Sequence, residues 1–287
     1  MSPHPLEQAV SFLLSRQDED GLWRDYQLEP GRSTSWVSAY VGYALVQAIG
    51  RDRSLSLTVD ALRSSKRTGG WGYNSHVACD ADSTSWVIRF LAAMDELDNI
   101  DAAELLDPYV TPTSGRVRTF YSAERFGSWG WEHDEVAPIA GMALMAAGEH
   151  ALATRIRHGV LNAPSWKSFW WRCASYVGAQ NLAFLNLSGG IPDQIRNREV
   201  KCIDDWPTAS STIDLAQRIS AALSLGLPAK DIDRLTEAQE NDGGWPTSKE
   251  MLVPRQRNGS GGEAVADDRR LMSTAAAVLS LCGRSAE

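Results

Sequence analysis

Lysine is scarce in this chain. There are 5 lysines beside 23 arginines, acidic residues outnumber basic ones 36 to 28, and the net charge is −8. No Lys/Arg block is present to neutralise phosphates, which argues against a nucleic-acid partner. Cysteine is scarce too: Cys79, Cys173, Cys202 and Cys282 lie far apart, with no CxxC or CxxxH spacing. Such a set reads as reduced, buried thiols rather than a disulfide frame. No apolar run reaches the ~18 residues of a membrane span, and the start MSPHPLEQAV lacks a basic-then-apolar signal region. The expectation is a cytoplasmic protein without a membrane span. There is no GxSxG elbow, P-loop or dinucleotide fingerprint. There is no DDxxD either, since Asp204-Asp205 and Asp267-Asp268 each lack a third carboxylate one helical turn on. The five histidines have no zinc spacing with cysteine, and no metal site is expected.

What the chain does have is helical periodicity, with no convincing alternating strand pattern. Twelve helices are expected, at roughly 5–17, 34–49, 53–65, 83–98, 101–107, 135–148, 150–162, 168–187, 191–203, 211–225, 229–240 and 267–282. One set is small, apolar and aromatic, as in TSWVSAYVGYALVQA. The other is amphipathic and charged, as in SLSLTVDALRSSK. Buried helices alternating with half-exposed ones imply two concentric layers. A unit averaging ~45 residues, repeated six times, fits an all-α closed ring of six helical hairpins, an (α/α)6 barrel. The repeat uses residues 1–287, so a single domain is expected. The loops repeat as well: QDEDGLW (Gln17 to Trp23) and QENDGGW (Gln239 to Trp245) share the form QxxDGxW, with RTGGWGY and RFGSWGW as shorter relatives. Their glycines permit tight turns, and Trp71, Trp129 and Trp131 are read, like Trp23 and Trp245, as staples between hairpins.

The pentapeptide STSWV occurs at residues 33–37 and again at 83–87, and only the second copy follows an acidic prefix, Asp80-Ala81-Asp82. One reading is a helix N-cap with a second acid favoured by the helix dipole. The other five apolar helices lack the pair, however, and a segment GGWGYNSHVACDADST runs directly into it.

At this point the chain resembles the class II terpene cyclases, such as the squalene–hopene cyclases. The QxxDGxW loops resemble their QW motifs, and GGWGYNSHVACDADST resembles their glycine–tryptophan segment running into the DxDD(T) motif. SFWWRCASYVGAQNLAFL and the closing DGGWPTSKEMLVP…DDRRLMSTAAAVLSL resemble bacterial cyclase-like chains. The resemblance covers nearly the whole length and implies a single-barrel cyclase with no cofactor, Mg2+ entering only with a diphosphate substrate. It assigns Asp82 as the acid that protonates a terminal alkene or epoxide, Asp80 as its supporting aspartate, and Thr84 as the threonine after the motif. Ser83 departs from the pattern, standing where the last aspartate is expected.

The chemistry asks for a neutral acid in a dry cavity lined by π faces. Trp36, Tyr40, Trp86, Trp170 and Trp171 are the candidates for that wall. The implied partner is a linear isoprenoid, with peripheral membrane contact compatible with such a substrate. Residues 246–267, long, glycine-rich and polar in their second half, are read as a mobile lid. The rival readings are a non-catalytic barrel that binds a prenyl chain or a protein, and a carbohydrate-active barrel. The latter wants two acids on opposite sides of the cavity, which Asp80 and Asp82 are too close in sequence to provide.

Overall fold

The computed structural model describes residues 4–283. Thirteen helices occur among them. They are α1 (Pro5–Ser15), α2 (Ser35–Ile49), α3 (Ser56–Ser64), α4 (Ala81–Met94), α5 (Ala102–Leu106), α6 (Ala123–Phe126), α7 (Val136–Ala146), α8 (His150–Asn162), α9 (Ala174–Leu187), α10 (Asp193–Asp205), α11 (Thr212–Ser224), α12 (Ile232–Glu237) and α13 (Leu271–Cys282). The apolar set forms an inner ring. α2 packs on α4, α4 on α7, α7 on α9, α9 on α11, α11 on α13, and α13 returns to α2. Small residues allow the close approach: a Cβ on Gly42 of α2 would come within 2.7 Å of the Phe90 ring of α4. The amphipathic set lies outside, with α1 on α13, α3 against α2 and α4, α5 against α4 and α7, α8 against α7 and α9, α12 on α11, and α10 beside α9, where Glu199 lies 3.9 Å from a Cβ placed on Gly178. The expected all-α ring of six hairpins is therefore the observed architecture.

The staples explain how the hairpins lock. The indole N–H of Trp23 donates to Leu13 O at 2.7 Å, that of Trp71 to Leu62 O at 2.8 Å, and that of Trp245 to Leu235 O at 2.6 Å. Each acceptor sits near the C-terminal end of an outer helix, where carbonyls otherwise lack partners. The backbone N–H of the same three tryptophans donates to Ser38 Oγ, Thr84 Oγ1 and Thr274 Oγ1. Each of those hydroxyls belongs to the fourth residue of an inner helix, α2, α4 and α13 respectively. Gln239 Nε2 reaches Pro5 O at 2.8 Å, tying the last loop to the first helix. Trp129 and Trp131 depart from the staple expectation. Trp129 faces a cavity, and Trp131 is 49% exposed.

Three further differences from the sequence reading bear on the site. The helix expected over 168–187 begins only at Ala174, and Trp170 and Trp171 precede it in non-helical backbone, Trp171 bridging to Met251. Two short antiparallel hairpins, β1 (Asp25–Leu28) with β2 (Gly31–Ser33) and β3 (Met251–Val253) with β4 (Glu263–Val265), occur where no strand was expected. The second hairpin gives the segment read as a mobile lid a defined backbone. α6 was not expected at all.

Candidate active site

A cavity of about 700 Å3 opens at the N-terminal ends of α2 and α4. Its walls come from α2 and α4, from the two hairpins, from residues 119–129 and from the non-helical segment at 170–171. Aromatic rings dominate: Trp36, Tyr73, Phe120, Trp129, Trp170 and Trp171 all line it. Trp36 lies 6.1 Å from Trp171, which stacks on Tyr176 at 4.2 Å. Charge is confined largely to exposed lining residues, Glu29, Lys249, Glu263 and Asp268, and to one acidic pair, Asp80 and Asp82.

Asp80 is the N-cap of α4. Its Oδ1 accepts from Ser83 N at 2.7 Å and its Oδ2 from Ser83 Oγ at 2.8 Å. Both oxygens are engaged, and burial nonetheless pushes its pKa up to about 6. Asp82, in the first turn, lines the cavity, and no protein hydrogen bond acts on its carboxyl among the described residues. Burial raises its pKa well above the usual carboxylate range, the charges of Asp80 and Glu135 raise it further, and Arg89 opposes them. Both influences favour the protonated form of a carboxyl that faces an aromatic cavity.

The two STSWV copies are not equivalent in space. Trp36 is the second residue of α2, whereas Trp86 is the sixth of α4, because Asp80 starts its helix earlier relative to the motif. Four residues are about one turn, or ~6 Å along the axis. The second position of α4 is Asp82 itself, so the acid occupies the place that Trp36 holds on α2. Trp86 aligns instead with Tyr40, and the two rings meet edge to face at 4.5 Å.

Of the sequence-derived candidates, Asp80, Asp82, Trp36, Trp170 and Trp171 converge on this cavity. Trp86 and Tyr40 do not: they line a second cavity of about 440 Å3 toward the C-terminal halves of the inner helices, together with Arg89, Gln180 and Gln217. Thr84 is also elsewhere. Its side chain is engaged with Trp71, accepting from N at 3.0 Å and donating to O at 3.1 Å. Gly70, at φ +95°, makes room for it, since a Cβ there would lie 2.5 Å from Thr84 Oγ1. Thr84 is thus a loop anchor, the counterpart of Ser38 and Thr274.

No family model and no curated protein matches the chain. Among solved structures, the apo form of the type II terpene cyclase MstE from Scytonema superposes with a TM-score of 0.81 at 22% identity, over 97% of this chain and 96% of that one. The fold is shared with a type II terpene cyclase. A variant of MstE in complex with geranylgeranyl dihydroxybenzoate, its substrate, gives a TM-score of 0.82 at 21% identity, over 98% of this chain and 97% of that chain. A protein from Actinoplanes gives 0.80 at 22% identity, over 98% of both chains.

Four residues with site geometry went unrecognised in the sequence. Tyr73, Phe120 and Trp129 line the cavity, the last two stacked at 6.4 Å. Glu135, immediately before α7, is 2% exposed, and burial pushes its pKa up to about 7. Only a lone acid at the start of an apolar helix, EVAPIAGMALMAAG, hinted at it. His133 is a structural histidine: its Nδ1 pairs with Thr119 Oγ1 at 2.7 Å and burial pulls its pKa down to about 3.

Proposed function

We propose that this chain is a class II terpene cyclase that closes rings in a linear polyprenyl substrate, with Asp82 as the proton donor. One observation carries the reading: a carboxyl whose surroundings favour its protonated form, and which no protein hydrogen bond holds among the described residues, opens onto a cavity walled by six aromatic rings. An alkene is a weak base, so its protonation needs a neutral acid already aimed at it. The proton passes from Asp82 to the terminal alkene carbon, and the cation left on the chain is attacked by the next double bond. Each attack forms a carbon–carbon bond, and loss of a proton from the last cation ends the sequence, so the net reaction is an isomerisation. The carboxylate left on Asp82 sits in the first turn of α4, where the helix dipole stabilises it. The six rings offer π faces to the moving cation, and their apolar surface keeps out the water that would quench it.

The substrate class that fits is a sesqui- or diterpenoid chain or its aryl-linked meroterpenoid form. A cavity of about 700 Å3 lies within the usual range for sites that enclose a small ligand. Three exposed carboxylates and a single lysine line it, a poor setting for the multiple charges of a diphosphate and a tolerable one for a neutral or singly charged head group. Geranylgeranyl dihydroxybenzoate, bound by MstE, has that character. The test is incubation with farnesyl, geranylgeranyl and squalene substrates, including diphosphates and prenylated aromatics, with products identified by mass spectrometry. Cyclised isomers are expected, best from prenylated aromatics. A folded protein that converts none of them ends the cyclase reading in favour of a barrel that only binds.

A further inference from the structure

The segment 169–172 carries two cavity tryptophans yet belongs to no helix, so its backbone groups must find partners elsewhere. On one side it pairs with the second hairpin: Leu252 N donates to Trp170 O at 2.7 Å, and Arg172 N donates to Glu250 O at 2.8 Å. On the other side a single carboxyl holds it. Glu135 Oε1 accepts from Phe169 N at 2.5 Å and from Trp170 N at 2.7 Å, while Oε2 is buried without a partner among the described residues.

The side chain of Trp170 is tied to the acid motif. Its indole N–H donates to Thr119 Oγ1 at 3.0 Å, and the Thr119 carbonyl accepts from Ala81 N at 2.9 Å, between the two aspartates. His133 completes the unit, pairing with Thr119 Oγ1 and stacking on Phe169 at 3.9 Å. One continuous set of hydrogen bonds therefore runs from Glu135 through Trp170 and Thr119 to the start of α4.

From this geometry we propose that Glu135 is a positioning residue for the cyclisation, clamping the 169–170 backbone through Oε1 so that the Trp170 ring stands in fixed register with the acid. The inference rests on the cyclase reading, but the clamp itself is a property of the fold. A carboxylate is well suited to it, because one oxygen accepts two backbone N–H groups in bonds stronger than neutral ones. Loss of the clamp leaves both amides buried and unpaired, and the segment must move to satisfy them. A cation path is sensitive to that motion: a displacement of ~1 Å can cost roughly 10²-fold in rate.

The experiment compares Glu135→Ala, Glu135→Gln and Trp170→Phe in the full chain, with geranylgeranyl dihydroxybenzoate as probe. Glutamine keeps the Oε1 acceptor, so Glu135→Gln should retain the product pattern and turn over within a few-fold of the parent. Glu135→Ala should lose roughly 10²-fold in kcat with little change in KM, and should release more partly cyclised or hydroxylated products. Adding Trp170→Phe to it should cost less than the sum of the two changes, since both act through one ring. Should Glu135→Ala fail to fold, Glu135→Asp supplies a shorter clamp. Amide hydrogen exchange gives a readout without turnover: in the alanine variant protection should fall in 168–172 and 250–253 while the inner helices stay protected. Unchanged exchange in those segments, or a glutamine variant as impaired as alanine, overturns the proposal. A parent protein that turns over nothing, yet shows this exchange pattern, sinks the cyclase reading and leaves the clamp standing.

Discussion

Ser83 gives both of its donors to Asp80: its amide to Oδ1 at 2.7 Å and its hydroxyl to Oδ2 at 2.8 Å. A serine at this position, where the cyclase motif has an acid, thus saturates one aspartate and leaves its neighbour, Asp82, unengaged. The division of labour follows from hydrogen-bond supply. The carboxylate form of Asp80 is stabilised by donors, so it is the member of the pair that ionises first, near pH 6, although burial holds it above the ordinary value. Once ionised, it makes loss of the second proton harder.

That coupling sets a pH prediction. As the proposed proton donor, Asp82 must be protonated to act, so on that proposal activity falls as pH rises through its folded pKa. The charge of Asp80 raises that pKa. In Asp80→Asn the charge is gone, while an asparagine caps the helix about as well. The alkaline limb of kcat should then move to lower pH, with circular dichroism unchanged. A limb that stays in place, or moves upward, would show that Asp80 does not tune Asp82.

Asp82→Asn is the more severe change. It preserves shape and removes the proton that the proposed mechanism delivers to the alkene. General acids contribute ~10²–10⁴-fold, and here the loss should be at least that large, with substrate binding retained because no ring of the wall is altered. The measurement is product formation together with substrate affinity in the same variant. Full cyclisation by a folded Asp82→Asn protein would return the DxD pair to helix capping.

How much of this was readable beforehand depends on whether the signal was local. Helix period, caps and the QxxDGxW loops are local, and they yielded all twelve barrel helices and the ring. The acid pair stood out because it precedes only one of the two STSWV copies, and the reading of it as an acid came from the resemblance. The wall was half readable. Trp36 and Trp86 look identical inside STSWV, but the helix around the second copy starts earlier and carries Trp86 a turn deeper. The segment 168–173 looks helical because its apolar run is long. It is not helical because its amides and carbonyls bond to Glu135, Glu250 and Leu252, partners 34 to 82 positions away that no local window contains. Trp129 was read as a staple from its loop, RFGSWGW, yet its indole N–H goes to Pro254 O, on the second hairpin, rather than to an outer helix.

That last bond predicts a role for Trp129 in closing the cavity. The indole donates to Pro254 O at 2.7 Å, and Ser128 donates to Gln256 O beside it. Trp129→Phe keeps an aromatic face and removes the tie to the hairpin. The expected outcome is a larger share of hydroxylated products, with kcat within about tenfold of the parent, because water gains access without any change in the acid. Product ratios indistinguishable from the parent would mean the hairpin needs no such tie.

Thr84 separates resemblance from structure most sharply. By its place after the acidic motif it is a candidate for the substrate site. By geometry it is fully buried, faces away from the cavity and holds Trp71, as Ser38 holds Trp23 and Thr274 holds Trp245. Thr84→Val keeps the side chain's shape and removes the hydroxyl, leaving Trp71 N without its acceptor. An orphaned buried amide costs about 1–3 kcal/mol, and a chain of this size loses roughly 2–4 °C of melting temperature per kcal/mol. Thr84→Val should therefore melt several degrees lower, by an amount similar to Thr274→Val, which lies on α13 and outside the acid motif. Assayed well below its melting point, it should retain kcat and product pattern. If Thr84→Val instead loses turnover at an unchanged melting temperature while Thr274→Val does the reverse, the hydroxyl belongs to the reaction and not to the barrel.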